Sequence, residues 1–314
     1  MRVVFMGTPP FAVATLDALH RRGDEVSVFT QPDRPAGRGR KLTPPPVKAR
    51  ALELGLPLFQ PRRVKDPESL ERIEAIAPEA IVVVGYGQII PDTIFNFPKY
   101  GCVNVHASLL PKYRGAAPIN WAVVNGEAVT GVTTMRIAKR LDAGDMLLKR
   151  EVEIGPAETA PALSERLAPI GAELLLETLD GLANGTIVAQ QQDNNEATFA
   201  PILKRQDGWV DWSLPARQIF DRVRGFELWP GTYTSFRGKR LHIHKAHPAN
   251  SQTPATAMPG AIVAAQEGFL VGCGDDSALA VEEVQLEGKN RISSTEFRRG
   301  YHLADGEKLG EPLE

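Results

Sequence analysis

Short apolar runs alternate with helically spaced segments along the first half of the chain. Val3 to Met6 is apolar throughout and closes at Gly7. Phe11 to Arg22 then places Phe11, Leu16 and Leu19 at helical spacing, with Gly23 as a stop. Val26 to Phe29 reads as a second strand, Val47 to Leu54 and Ser69 to Ala77 as helices, and Ala80 to Val84 as a wholly apolar strand closing at Gly85. Strands apolar on both faces, separated by helices, predict a mainly parallel sheet covered on each side. The expected fold class is therefore α/β, with a Rossmann-like first domain. Ligands of such sheets bind at the carboxyl ends of the strands. Thr130 to Ile137 and Met146 to Ile154 read as a further strand pair flanking a turn at Asp142, and Ser164 to Leu182 as a long helix with Pro169 near its start.

The texture then changes. Ala189 to Pro201 is rich in Gln, Asn and Asp, lacks apolar periodicity and reads as a linker. Leu214 to Phe226 suggests one helix. Beyond it come short β-like runs at Thr232 to Phe236, Arg240 to His244, Ala261 to Val263, Phe269 to Val271 and Leu279 to Val284, punctuated by Gly and Pro. That spacing suits a small β-barrel. The expected domains are 1–188, a linker at 189–205, and 206–314. Trp229 is expected in the core of the second.

Composition narrows the class. Of 314 residues, 43% are hydrophobic and 24% charged, which suits a packed core. The formal net charge of −2 means that any nucleic-acid site must be a local patch. Cys102 and Cys273 make neither a disulfide framework nor a cysteine zinc cluster, so no metal is expected. There is no apolar run of about 18 residues and no charged leader ahead of the first strand, so the expectation is a cytoplasmic protein without a membrane span.

The chemistry concentrates in the run from Asn104 to Pro118. Alternate residues of a strand share a face, so Asn104 and His106 present an amide and an imidazole together at a strand tip. The polar turn Leu141-Asp142-Ala143-Gly144-Asp145 can add a carboxylate, from Asp142 or from Asp145. Amide, imidazole and carboxylate suffice for acyl-type transfer without metal, thiolate or covalent intermediate. Ser108 lies two residues from His106, but the chain has no Gly-x-Ser-x-Gly elbow. Gly7-Thr8-Pro9 lacks the dinucleotide fingerprint. Separately, Gln31 to Lys48 carries Arg34, Arg38, Arg40, Lys41 and Lys48 against one acid, Asp33. A cationic, Gly-containing loop on a nearly neutral protein is a phosphate-seeking device.

These stretches resemble the methionyl-tRNA formyltransferases over essentially the whole chain. The likeness is carried by Phe5-Met6-Gly7-Thr8-Pro9, by Phe29 to Gly39, by Asn104 to Pro118 and by Leu141 to Leu147. The Asn-x-His…Asp constellation is common to several folate-dependent formyltransferases and hydrolases; the Arg-rich loop and the trailing domain point to tRNA. The resemblance implies an OB-type C-terminal barrel and transfer of formyl from 10-formyltetrahydrofolate to the amino group of initiator methionyl-tRNA. It implies Asn104 and His106 at the formyl oxygen and Asp142, rather than Asp145, as proton acceptor. It places Ser108, Leu109, Leu110 and Pro111 against the folate, with Val84, Gly85, Tyr86, Ile89 and Ile90 as candidates for the rest of that wall. Arg38, Arg40 and Lys41 are implied at the tRNA, and the stripe Arg240, His242, His244 is a second basic face. A monomer is expected. The competing readings are a sugar-nucleotide formyltransferase using the same three residues, a non-catalytic binder, and a formyltetrahydrofolate hydrolase.

Overall fold

A computed structural model of the chain describes residues 1–36, 41–249, 258–265 and 267–311. Its contacts define two units: Met1–Pro118 with Val129–Glu153 and Leu163–Pro201, and Ile119–Ala128 with Ile154–Ala162 and Ile202–Glu314. In chain order the elements begin β1 (Arg2–Gly7), α1 (Phe11–Arg22), β2 (Glu25–Phe29), β3 (Arg34–Ala36), β4 (Lys41–Thr43), α2 (Pro46–Glu53), β5 (Leu58–Phe59) and α3 (Pro67–Ile76). There follow β6 (Ala80–Val84), α4 (Asp92–Phe95), β7 (Cys102–His106), β8 (Arg114–Gly115), α5 (Pro118–Val124), β9 (Val129–Arg136), β10 (Met146–Glu153), α6 (Ala160–Asn184) and β11 (Phe199–Ala200).

The first unit is built on a seven-stranded sheet of order β10-β9-β7-β6-β1-β2-β5. From β5 to β7 neighbouring strands are parallel, and β9 and β10 add antiparallel to that edge. β1 and β6 are buried almost throughout, as their apolar runs require of strands covered on both faces. Helices end where the chain can turn: α1 closes on Gly23 at φ 85°, and α2 and α3 open with proline in their first turn. α6 starts four residues before the expected Ser164, which moves Pro169 from near the start to the interior, where it removes one i→i−4 bond.

The expected linker is a difference. Up to Pro201 it belongs to the first unit. Gln192 is 4% exposed, and β11 pairs in parallel with β8. The segment is held by side-chain amides and backbone pairing, neither of which leaves an apolar period to read.

The second unit continues with α7 (Ala216–Gly225), β12 (Thr232–Phe236), β13 (Lys239–Pro248), β14 (Ile262–Ala264), β15 (Phe269–Gly272), β16 (Ala278–Leu286), β17 (Ile292–Ser293) and α8 (Ser294–Tyr301). Its sheet is antiparallel, in the order β12-β13-β16-β15-β14, with β17 on β16. Phe236, Leu241, Ile243, Phe269 and Phe297 centre its core. On β13, Leu241 and Ile243 face that core while Arg240, His242 and His244 are only partly buried, which is the alternation expected of them. α8 opens on a Ser293–Glu296 capping box. Trp229 is 54% exposed, contrary to expectation. Asp221 and Arg224, on α7, form a buried ion pair at 2.7 Å. Both cysteines are buried and free; burial pushes the Cys102 thiol far up and that of Cys273 up to about 12. Among the described residues no helix is long and apolar enough to cross a membrane.

Candidate active site

β7 is buried along its length between β6 and β9, with Asn104 opposite Val83 and Met135, and His106 opposite Thr133. An asparagine and a histidine thus occupy a strand position where the neighbouring strands offer valine and threonine. Asn104 is 7% exposed, and its side-chain amide, which hydrogen-bonds no described residue, is open to solvent rather than sealed in the core. An amide left open and unused by the fold is available to a ligand.

His106 is oriented by the chain just after it. Its Nε2 donates to the Tyr113 carbonyl at 2.9 Å. A carbonyl only accepts, so Nε2 carries hydrogen and Nδ1 is the free edge. That edge lies 3.7 Å from Asp142 Oδ2, an ion pair whenever the ring is protonated. Asp142 sits in the left-handed region at φ 46°, which aspartate tolerates better than most residues. Its Oδ2 also accepts from the Gly115 amide at 2.9 Å. Two glycines are required here. A Cβ on Gly144 would lie 1.9 Å from the Arg136 carbonyl, and one on Gly115 2.5 Å from that of Ala200. Asp145, the rival carboxylate, is exposed, and its backbone carbonyl accepts from the Arg136 amide.

The expected folate segment is held tightly. Ser108 is fully buried and its hydroxyl donates to the Lys112 carbonyl at 2.6 Å. Thr133 Oγ1 donates to the Ser108 carbonyl and accepts from the Leu110 amide, and Lys149 Nζ donates to the Leu110 carbonyl. The Leu110–Pro111 peptide is cis. Leu110 packs with Met135 and Met146. Leu109 and Pro111 are the half-exposed members of the segment. Of the other wall candidates, Val84, Tyr86 and Ile90 are buried, whereas Ile89 is 92% exposed.

At the basic loop, β3 and β4 pair as an antiparallel hairpin with Ala36 opposite Lys41. Arg38 and Arg40 lie outside the described residues; Lys41 belongs to β4. Two of the loop's cations are engaged. Lys48 Nζ lies 2.8 Å from Asp33, and Arg34 Nη2 donates to Gln31 Oε1. Hydrogen bonds from Gln60 and Lys48 hold the Asp33 carboxyl below its usual value. Gln31 Nε2 in turn donates to the Tyr86 carbonyl at 3.1 Å. The base of the loop is therefore structural.

On β13 the His242 and His244 rings stack with centroids 6.0 Å apart, and the Arg240 guanidinium lies 4.8 Å from the Tyr233 ring centre. Burial first, then His244 and Arg240, hold the His242 imidazole below its ordinary value. Among the described residues no cluster of His, Cys, Asp and Glu is arranged to hold a metal ion.

A family model for formyl transferase matches residues 1–179, and one for the formyl transferase C-terminal domain matches residues 202–302. The methionyl-tRNA formyltransferase of Solibacter usitatus (strain Ellin6076) is 54% identical over 312 residues, covering 99% of each chain. The chain belongs to the methionyl-tRNA formyltransferase family. Another member, from Geobacter sulfurreducens, is 50% identical over 313 residues, 99% of this chain and 97% of that one. Solved structures share the fold at lower identity. WlaRD, a sugar 3N-formyl transferase, matches with a TM-score of 0.67 at 17% identity over 92% of this chain and 99% of that one. HypX from Aquifex aeolicus, in complex with tetrahydrofolic acid, matches at 0.64 and 20% identity over 96% of this chain and 48% of that one.

Three residues at this family member's site escaped the sequence reading: Arg114, Gln192 and Asn194. Arg114 is 5% exposed, donating from Nε to Gln192 Oε1 and from Nη1 to Asn194 Oδ1, both at 2.9 Å. An arginine in a Gly-rich motif reads as a surface cation, and amides in a polar stretch read as solvated. Only the fold brings them together.

Proposed function

We propose that the protein transfers the formyl group of 10-formyltetrahydrofolate to the amino group of initiator methionyl-tRNA, giving N-formylmethionyl-tRNA. The observation that carries this reading is the open Asn104 amide, unused by the described residues, on the same face of β7 as His106, whose Nδ1 lies 3.7 Å from Asp142. When an amine attacks a formyl carbon, the oxygen becomes negative and the nitrogen positive. Asn104 Nδ2 donates to that oxygen; one such donor is worth about 10²–10³ in rate. With Nε2 engaged by Tyr113, His106 acts through Nδ1, which when protonated also donates to the oxyanion, its charge balanced by Asp142. Asp142 accepts the amine proton, directly or through a water, and returns it to the leaving N10. Transfer is direct, through a tetrahedral intermediate, with no metal and no acylated side chain.

We read Leu109 and Pro111 as the exposed apolar side of the folate segment against a flat pterin, with Ser108 and Leu110 shaping it from within and Ile89 a further exposed candidate. We read Arg38, Arg40 and Lys41 as the contacts to the tRNA acceptor end; among the described residues of this loop, Gln31, Asp33 and Lys48 are held by hydrogen bonds and an ion pair. Arg240, His242 and His244 form a second candidate face for RNA. The protein is read as a cytoplasmic monomer. A sugar-nucleotide acceptor is disfavoured because the sugar formyltransferases match at far lower identity than the methionyl-tRNA formyltransferases.

Formyl transfer to charged initiator tRNA by the wild type and by Arg38→Ala tests this reading. The wild type is expected to formylate; the variant is expected to need about tenfold more tRNA, in keeping with loss of a phosphate-seeking cation, with its folate KM unchanged. No transfer by the wild type overturns the function, and unchanged tRNA kinetics in the variant overturn the role of the loop.

A further inference from the structure

We propose that the strap Gln190–Ala200 is a working part of the active centre and that its Gln192 is a positioning residue for Asp142. The proposal rests on Asp142 being the proton acceptor of the reaction read above. Gln192 is 4% exposed. Its Nε2 donates to the carbonyl of Asp142 itself at 2.9 Å and to that of Gly144 at 2.7 Å, while its Oε1 accepts from Arg114 Nε at 2.9 Å. Both amide hydrogens and the carbonyl oxygen are thus used, the full satisfaction expected of a buried amide. The grip falls on the backbone of the one residue held at φ 46°, so the amide fixes where the Asp142 carboxylate emerges.

The carboxylate is referenced to the same strap by a second route. Asp142 Oδ2 accepts from Gly115, and Gly115 pairs with Ala200 of the strap through β8 and β11. The imidazole is referenced to it as well. Tyr113, whose carbonyl takes His106 Nε2–H, stands at φ 61° with its own amide donating to Thr198 Oγ1 at 2.9 Å. The strap therefore meets the site at Gln192, Thr198 and Ala200, and between them these contacts set the 3.7 Å between His106 Nδ1 and Asp142 Oδ2. Arg114 supplies the counter-grip with its amide-held guanidinium; its Nη2 is buried without a partner among the described residues.

A displacement of about 1 Å at a reacting group can cost about 10² in rate. Gln192→Glu separates the two halves of the contact. It keeps an acceptor for Arg114 and adds a charge pair with it, but turns an oxygen toward two carbonyl oxygens. Gln192→Met, of similar volume and without polar atoms, is the uncharged partner variant. Each is assayed for formyl transfer to charged initiator tRNA beside the wild type and Asp142→Asn, with kcat, both KM values, the pH profile of kcat and thermal unfolding recorded. The expected result in both folded variants is a kcat lower by about 10–100-fold, KM values within about threefold, and a displaced pH profile. A folded variant with kcat within twofold of wild type and an unshifted profile, while Asp142→Asn is inactive, overturns the proposal. An inactive wild type or an active Asp142→Asn overturns the functional reading instead.

Discussion

Asp142→Asn lowers kcat by about 10²–10⁴-fold, the range for a general acid–base group, and leaves both KM values within about threefold. The substitution is nearly isosteric, and Oδ1 of the new amide still accepts from the Gly115 amide, so the left-handed turn and its Gln192 clamp persist. What goes is the negative charge 3.7 Å from His106 Nδ1 and the capacity to take a proton. An effect on kcat alone is the signature of an interaction made in the transition state. Steady-state formyl transfer checks it, with thermal unfolding to confirm the fold. A kcat within threefold of wild type would remove Asp142 from the chemistry.

Asp221→Ala destabilises the second unit by about 3–5 kcal/mol, the usual cost of leaving one member of a buried ion pair behind. The Asp221 and Arg224 side chains are 4% and 3% exposed, and Arg224 Nε lies 2.7 Å from Asp221 Oδ1. Arg224 Nη1 also donates to the Glu158 carbonyl at 2.9 Å, so the guanidinium stays bound within the interior when the carboxylate is lost. Arg217 reaches the other carboxylate oxygen at 3.2 Å from a half-exposed position and contributes less. Replacing both partners with apolar residues of similar volume is expected to cost much less than Asp221→Ala alone. Urea unfolding of the full chain reads the difference. A loss below about 1 kcal/mol for Asp221→Ala would mean that water reaches the pair and screens it.

The elements legible in the sequence are those whose own side chains decide them. Ala80–Val84 and Phe11–Arg22 have the expected bounds because one is wholly apolar and the other carries an apolar stripe closed by Gly23. Asn104, His106, Asp142 and Asp145 were legible as residue types in a motif, the preference for Asp142 came from the family resemblance, and the fold places His106 Nδ1 3.7 Å from Asp142. What escaped is decided at long range. Lys48 counted toward the loop's cationic charge, but the fold pairs it with Asp33, fifteen residues away. Ala189–Pro201 read as a linker because its order comes from hydrogen bonds to residues 113–116, 142 and 144 rather than from burying an apolar face. α8 could have been read from its Ser293–Glu296 capping box.

The central claim is the acceptor. Labelled formyl transfer from 10-formyltetrahydrofolate is measured on methionyl initiator tRNA, methionyl elongator tRNA and an amino-sugar nucleotide, with kcat/KM for each. The account predicts transfer to the initiator at least about 10²-fold more efficient than to either alternative. Equal or better transfer to the amino-sugar nucleotide would contradict it.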